Sequence, residues 1–175
     1  MAKHKTHVTE ISPARSRQPA HVILSNLLQN VFKNNADIVI IAVGGPGGTG
    51  KSTFSNSLSE KLADSCLVSL DDYKTPRTER KHNNLFGAHP EANKMTLIRQ
   101  HIEQLKNGNS IDKPVYNSVT GQADENITVE PAKFVIMDGE ISTYSDFRDL
   151  VDFAVFIDSD WTTQLNTRTI RDIRE

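Results

Sequence analysis

The feature that most constrains the fold of this chain is a glycine-rich segment between an apolar run and an amphipathic stretch. Residues 45–52 read Gly-Pro-Gly-Gly-Thr-Gly-Lys-Ser and fit the pattern G-x-x-x-x-G-K-[ST]. A β-branched run, 38–43, precedes them, and Phe54, Leu58 and Leu62 follow at helical spacing. Backbone N–H groups that converge in such a loop, together with the positive end of the next helix, attract a phosphate. The sequence therefore predicts a phosphate-binding loop between a buried strand and a helix.

Strand-like and helix-like segments alternate along the rest of the chain. Apolar runs of the kind that parallel sheets bury on both faces predict strands, at 37–43, 66–70, 134–137 and 153–157. Helical spacing of apolar residues predicts helices, at 20–34, 51–63, 90–106 and 161–174. A polar stretch without periodicity, 73–89, is long enough to be a functional loop, and 110–130 is typical of a hairpin-like flap. This order predicts an α/β fold with a mainly parallel sheet and helices on both faces.

The size, charge and cysteine count of the chain exclude several classes of protein. Its 175 residues predict one domain, over 20–175, behind a polar lead-in, 1–19, that we expect to be poorly ordered. The 20 Lys plus Arg against 22 Asp plus Glu give a net charge of −2, which offers no reason to expect nucleic acid as a partner. The longest apolar run is too short for a membrane span, and we expect no secretory signal. The single cysteine, Cys66, excludes an intramolecular disulfide, so we expect a cytoplasmic protein.

Carboxylates follow the predicted strands. Asp71 and Asp72 follow the second strand, and Asp138 follows the third. Ligands of open α/β sheets bind beyond the carboxyl ends of the strands, so these acids should face the same crevice as the glycine-rich loop. Lys51 would reach the β and γ oxygens of a nucleotide, while Ser52 and Asp138 would hold Mg²⁺. Asp71 or Asp72 would be the base for a substrate hydroxyl; the alternatives are a turn cap at Asp138 and ordinary solvation of the other two.

Six short motifs occur along the chain in an order that resembles a known family. They are 44–52, Ser-Leu-Asp-Asp-Tyr-Lys at 69–74, His-Pro at 89–90, Lys-Pro-Val-Tyr at 113–116, Asp-Gly at 138–139 and Arg-Thr-Ile-Arg-Asp at 168–172. This ordered set resembles the uridine kinase and phosphoribulokinase family of P-loop kinases, over most of the chain. The resemblance implies the three-layer sandwich of P-loop NTPases. It also implies transfer of the γ-phosphate of ATP, with Mg²⁺, to a free hydroxyl of a small molecule, nominally a nucleoside.

The resemblance further implies roles for individual residues. Asp71 matches the catalytic base, and Asp138 matches the acidic position near Mg²⁺. Arg168 and Arg171 match arginines of the lid that closes over the phosphates, where they would act with Lys51. The predicted nucleotide-binding set is Gly45, Gly47, Gly48, Thr49, Gly50, Lys51, Ser52 and Thr53. The predicted substrate-binding set is Asp72, Tyr73, His89 and Tyr116, the last as the tyrosine that helps hold the base in nucleoside-specific members.

Three positions depart from the uridine kinase pattern. Ala88 stands where uridine kinases have an aspartate that holds the ribose, Asn117 replaces an aspartate, and Thr120–Gly121 replaces a histidine that contacts the base. A site built on hydrogen bonds to one substrate discriminates through those bonds, so the departures argue against simple uridine specificity. A sugar, a sugar phosphate, glycerate or a pantothenate-like molecule are therefore the alternative acceptors.

Other interpretations stay open beside the kinase. The polar loop contains a basic run, Lys74, Arg77, Arg80 and Lys81. This run would either bind a phosphate or carboxylate of the substrate or form a solvated face. The competing classes are a nucleotide-binding module without turnover and a nucleotide-driven switch, although the guanine-reading motif of GTPases is missing. The chain stops where the family's lid begins, so we expect a fragment or an omitted tail. The helix 20–34 would pack on the domain or on a second subunit, which would make a homo-oligomer.

Overall fold

The computed structural model describes residues 18–174, with side chains up to residue 170. Most of the predicted lead-in, 1–19, and the side chain of Arg171 therefore lie outside the described residues. The helices are α1 (Ala20–Val31), α2 (Lys51–Lys61), α3 (Arg77–His82), α4 (Met95–Lys106) and α5 (Trp161–Arg174). The strands are β1 (Val39–Gly44), β2 (Ser65–Ser69), β3 (Ile111–Asn117), β4 (Gln122–Val129), β5 (Phe134–Asp138) and β6 (Phe153–Phe156).

Four parallel strands form the central sheet in the order β2–β5–β1–β6. The two inner strands, β1 and β5, are buried along their whole length, as their continuous apolar sequences predict. The register pairs both Val43 and Ser69 with Asp138, so β1, β2 and β5 end at one edge of the sheet. The glycine-rich loop after β1 therefore begins beside the acidic residues that follow the other two strands.

Helices cover both faces of this sheet. On one face α1 and α2 bury Leu28 and Leu58 against Ile41, and on the other face α4 buries Ile102 against Ile40. Neighbouring residues of a strand point to opposite faces, so β1 alone contributes to both cores. Burial of each such aliphatic side chain contributes about 1.5–3 kcal/mol to folding. The predicted α/β sandwich, with a parallel sheet and helices on both faces, is confirmed.

The sequence pattern does not predict α3, which lies within the expected loop 73–89. None of its 6 residues is buried, so no apolar periodicity marks it as a helix. Its start is held by the hairpin of β3 and β4, because the Arg77 N–H donates to the carbonyl oxygen of Gly121 at 2.7 Å. Arg80 Nε in turn donates to the carbonyl oxygen of Thr75 at 3.0 Å. Tertiary contacts rather than local periodicity therefore define this helix.

The predicted helix 90–106 is interrupted near its start. A short 3-10 turn, Pro90–Ala92, comes first, and α4 begins only afterwards. The Asn93 side chain donates to the carbonyl oxygens of Gly87 and His89, at 2.9 Å each, while a φ of −133° keeps its backbone extended. The prediction of one continuous helix is wrong because this asparagine binds the preceding loop instead of continuing the turn.

The predicted flap is an antiparallel hairpin of β3 and β4 that forms its own two-stranded sheet. Its strands cover Ile111–Asn117 and Gln122–Val129, and the chain turns over at 118–121. The hairpin lies against the 3-10 turn Leu70–Tyr73, which follows β2. Between residues 18 and 174, no helix has both the length and the apolar character required to cross a membrane.

Candidate active site

The glycine-rich loop runs directly from β1 into α2. Gly45 has a φ of 136°, and a Cβ at this position would lie 2.0 Å from the carbonyl oxygen of Ile157. Gly50, with a φ of 85°, precedes α2 and gives the helix no side-chain cap. Only glycine adopts such backbone angles at low cost. The loop therefore leaves backbone N–H groups and the positive end of the helix dipole at the edge of the sheet, where they favour an anion.

Lys51 begins α2 and reaches back over the loop. Its Nζ donates to the carbonyl oxygen of Pro46 at 2.8 Å, and the hydroxyl of Thr49 donates to the same oxygen at 2.9 Å. Burial lowers the pKa of the lysine, and three nearby carboxylates oppose this shift. In decreasing order of effect, these carboxylates belong to Glu140, Asp138 and Asp71. The ammonium therefore lies at the loop among acids that favour its charged form.

Asp138 ends β5 and is only 5% exposed. The Ser55 hydroxyl donates to its Oδ1 at 3.0 Å. Burial raises the pKa of Asp138, whereas hydrogen bonds from Ser52 and Ser55 and the charge of Lys51 lower it. Within the described residues, no group of three or more His, Cys, Asp or Glu side chains could hold a metal ion. Asp138 and Ser52 offer the hard oxygen donors that suit Mg²⁺, with phosphate and water as the other ligands.

Asp71 lies in the 3-10 turn after β2, at the same edge of the sheet as the loop. Its side chain is 73% exposed, and one oxygen lies 2.8 Å from Nζ of Lys74. Its negative charge opposes the lowering of the Lys51 pKa and adds to the raising of the Asp138 pKa, as its position at the same edge of the sheet leads us to expect. An exposed carboxylate beside an anion-binding loop can accept a proton from a ligand that enters from solvent.

The side chains of Asp72 and Tyr73 turn into the protein. Asp72 forms an ion pair with Lys113 and accepts the Tyr116 N–H at 3.0 Å. Tyr73 is completely buried, and its hydroxyl lies 2.8 Å from Nδ1 of His101. Burial also raises the pKa of the tyrosine. Both residues thus hold the turn that carries Asp71, and Tyr73 has no exposed surface to support the predicted substrate contact.

The other two predicted substrate residues are His89, in the loop before the 3-10 turn Pro90–Ala92, and Tyr116, near the end of β3. His89 is exposed, and its Nδ1 accepts the Glu91 N–H at 3.2 Å, which caps the 3-10 turn after it. Tyr116 is half-buried, and its hydroxyl accepts a hydrogen bond from Arg80 at 2.5 Å. The guanidinium carbon of Arg80 also lies 5.6 Å from the centre of the tyrosine ring. In the sequence Arg80 is only one member of a basic run, and no pattern there indicates this partner.

The structure places one predicted lid arginine against the glycine-rich loop. Arg168 on α5 donates from Nε to the carbonyl oxygen of Gly47 at 3.1 Å, and a Cβ on that glycine would lie 2.2 Å from Nη2. Glu140 accepts the Gly47 N–H at 2.8 Å and lies 3.8 Å from Arg168. No motif marks Glu140; the only sequence signal is an acid just beyond Asp138 at the end of β5. Four of the predicted residues thus lie at the same edge of the sheet: Lys51, Asp138, Asp71 and Arg168. The side chain of Tyr73 does not reach this edge.

Comparisons with known proteins agree with this geometry. A sequence profile of the Phosphoribulokinase / Uridine kinase family matches residues 40–175. A phosphoribulokinase from Synechocystis sp. is 37% identical over 142 residues, which cover 79% of this chain and 43% of that protein. A uridine kinase from Chlamydia pneumoniae is 30% identical over 145 residues, which cover 79% of this chain and 65% of that protein.

A solved structure supports the fold separately. It is described as a candidate fructose transport system kinase from Silicibacter sp. TM1040, and it superposes with a TM-score of 0.77 at 18% identity, over 90% of this chain and 83% of that chain. This chain spans less than half the length of the matched phosphoribulokinases and about two thirds of the matched uridine kinases. The profile match extends over most of the chain, and the chain belongs to the phosphoribulokinase and uridine kinase family of P-loop kinases.

Proposed function

We propose that this chain transfers the γ-phosphate of ATP to a hydroxyl group of a small metabolite. The observation that carries the proposal is the juxtaposition of three features at one edge of the sheet: the glycine-rich loop, the buried carboxylate of Asp138 and the exposed carboxylate of Asp71. A family of kinases with named activities on phosphoribulose and uridine supports the same class of reaction. We also propose that the enzyme is cytoplasmic and that it has no nucleic-acid or membrane partner.

Phosphoryl transfer depends mainly on positioning and on neutralisation of charge. Lys51 would contact the β- and γ-phosphate oxygens, and Arg168, already against the loop, would contact the transferred group through its planar guanidinium. Asp71 would accept the proton of the attacking hydroxyl. Ser52 and Asp138 would hold Mg²⁺, which would neutralise phosphate charge in this site. The matching role of Arg171 stays a prediction.

We further propose that the acceptor is a phosphorylated sugar rather than a nucleoside. Arg80 donates to the hydroxyl of Tyr116, and its guanidinium carbon lies 5.6 Å from the ring centre, so the polar end of this ring is already engaged. At Gly121, a Cβ would lie 2.8 Å from Cβ of Arg77, which leaves no room for a base-binding histidine. A guanidinium beside the acceptor site suits a phosphate, because it offers paired N–H donors in one plane.

An acceptor screen tests this proposal. ADP release would be followed with ATP and Mg²⁺ across pentose phosphates, unphosphorylated pentoses, uridine, glycerate and pantothenate, with a reaction that lacks any acceptor as the blank. We expect a pentose phosphate to raise ADP release above the blank. Uridine as the only active acceptor would contradict the choice of substrate, and bound ATP with no active acceptor would favour a module without turnover.

A pair of variants separates recognition of the acceptor from recognition of the nucleotide. Arg80→Gln should raise the KM for the phosphorylated acceptor about tenfold or more, since it removes a charge-assisted contact, and should leave the KM for ATP unchanged. Lys81→Gln removes the same charge from the next, exposed position and is the matched control. Equal effects of the two substitutions would show that only the general field of the basic run matters.

A further inference from the structure

Glu140 contacts the part of the loop that a phosphate would use. Its Oε1 accepts the backbone N–H of Gly47 at 2.8 Å. The same oxygen lies 3.8 Å from Nη2 of Arg168, and the charge of Glu140 is the largest of the charges that favour the ammonium form of Lys51. A loop N–H, a guanidinium and an ammonium are the groups that would surround a phosphate oxygen here. A carboxylate oxygen of this protein already lies among them.

This contact joins three separate segments of the chain. Gly47 belongs to the loop after β1, Glu140 follows β5, and Arg168 lies on α5, so the two hydrogen bonds of Gly47 connect all three. The helix also approaches closely at Gly48, where a Cβ would lie 2.6 Å from the carbonyl oxygen of Gln164. A phosphate that bound the Gly47 N–H would have to displace the carboxylate, and the link from Glu140 to Arg168 would be lost with it.

We propose that Glu140 is an internal ligand of the phosphate loop, which competes with nucleotide phosphates for the Gly47 N–H and for Arg168. This inference rests on the proposed nucleotide-binding role of the loop. In the closed form the carboxylate neutralises the cations of the empty loop and keeps α5 against it. In the open form the carboxylate has left, and a polyphosphate anion takes its place. Glu140 therefore sets nucleotide affinity, without taking part in the transfer itself.

The size of the effect of Glu140 on nucleotide affinity follows from the fraction of the protein in the closed form. A charge-assisted hydrogen bond at a partly exposed site favours the closed form about fivefold to tenfold over the open form. Because only the open form binds a polyphosphate, the apparent Kd exceeds the intrinsic Kd by about the same factor. Removal of the carboxylate should therefore tighten binding by about fivefold to tenfold, which is the opposite of what loss of a nucleotide ligand would do.

Calorimetric titration with ADP and with inorganic triphosphate, in the absence of acceptor, tests the inference. Glu140→Ala removes the competing oxygen and its charge, and Glu140→Gln keeps an oxygen but removes the charge. We expect Kd to fall about fivefold to tenfold for the first and by a smaller factor for the second. Glu60→Gln, on an exposed position of α2, removes one charge far along the helix and is the matched control, with Kd within about twofold of wild type.

Hydrogen exchange without any nucleotide provides a second readout. The Gly47 amide should exchange at least about fivefold faster in Glu140→Ala than in the unaltered protein, because it loses its acceptor. Unchanged or weaker binding of triphosphate by Glu140→Ala, or unchanged exchange at Gly47, would overturn the inference. If Lys51→Ala binds nucleotide as well as wild type does, the proposed function fails instead. If Glu140→Ala binds triphosphate measurably and wild type does not, both the proposed phosphate site and the competition by Glu140 are supported.

Discussion

Replacement of Lys113 by methionine tests how the turn that carries Asp71 is held. Lys113 lies on β3 with 5% of its side chain exposed, and its ammonium pairs with Asp72, whose side chain is 20% exposed. Lys113→Met keeps much of the apolar stem and its packing, but it leaves the Asp72 carboxylate without a cation. The Tyr116 N–H stays as the other partner of that carboxylate. Asp72 therefore loses one of the two polar contacts by which it binds the turn to the hairpin.

Removal of one partner of a buried ion pair costs about 3–5 kcal/mol, because the remaining charge is desolvated without compensation. Asp72 keeps an N–H donor and some contact with solvent, so we expect the lower end, a loss of about 3 kcal/mol in the free energy of unfolding. The double variant Asp72→Asn/Lys113→Met should recover most of this loss, since neither charge is then left alone. Urea denaturation followed by circular dichroism measures all three proteins.

Lys61→Met, at an exposed position on α2, is the matched control and should change the free energy of unfolding by less than about 0.5 kcal/mol. A loss for Lys113→Met as small as that of the control would refute the reasoning. A double variant no more stable than Lys113→Met would refute it as well, because the cost would then come from packing rather than from an uncompensated charge.

Three further predictions concern the loop, the core thiol and a buried histidine. Gly45→Ala should abolish nucleotide binding and lower stability by more than about 2 kcal/mol, since its Cβ would meet a carbonyl oxygen at 2.0 Å; Gly108→Ala, with open space around it, should cost only about 1 kcal/mol. Burial raises the pKa of Cys66 to about 11, so a thiol-disulfide reagent at pH 8 should label it slowly until urea unfolds the protein. Burial lowers the pKa of His101, whose ring lies in hydrogen-bond distance of the Tyr73 hydroxyl, so as the pH falls the histidine takes up a proton in the unfolded state first. The free energy of unfolding should therefore fall below about pH 6.5. His101→Gln should flatten this dependence of stability on pH, and an unchanged dependence would exclude the histidine as its cause.

The sheet and the phosphate loop could be predicted because their signals are local. The run 38–43 is apolar at every position, as a strand buried on both faces requires, and the glycines after it have a spacing with a physical reason. The acids after β2 and β5 could be placed near the loop because parallel strands end at one edge. These features depend on residues that are neighbours in the chain.

The elements that were missed depend on contacts between distant residues. α3 has no buried side chain and begins with a bond from Arg77 to Gly121, so neither periodicity nor capping reveals it. Glu140 and Gly47 are 93 positions apart, and nothing in either local sequence indicates that they meet. Tyr73 follows Asp71 and Asp72 in the sequence, and this position favours a place in the site. The 3-10 turn after β2, however, directs its ring into the core.

One comparison tests most directly the proposed role of Asp71, which is to take the proton of an acceptor hydroxyl at a loop that binds ATP. Product formation and the Kd for ATP would be measured for wild type and for Asp71→Asn with the acceptor that the screen identifies. We predict that the substitution lowers kcat by about a hundredfold or more, as loss of a general base does, while Kd stays within about twofold. A near-wild-type kcat for Asp71→Asn would contradict the account.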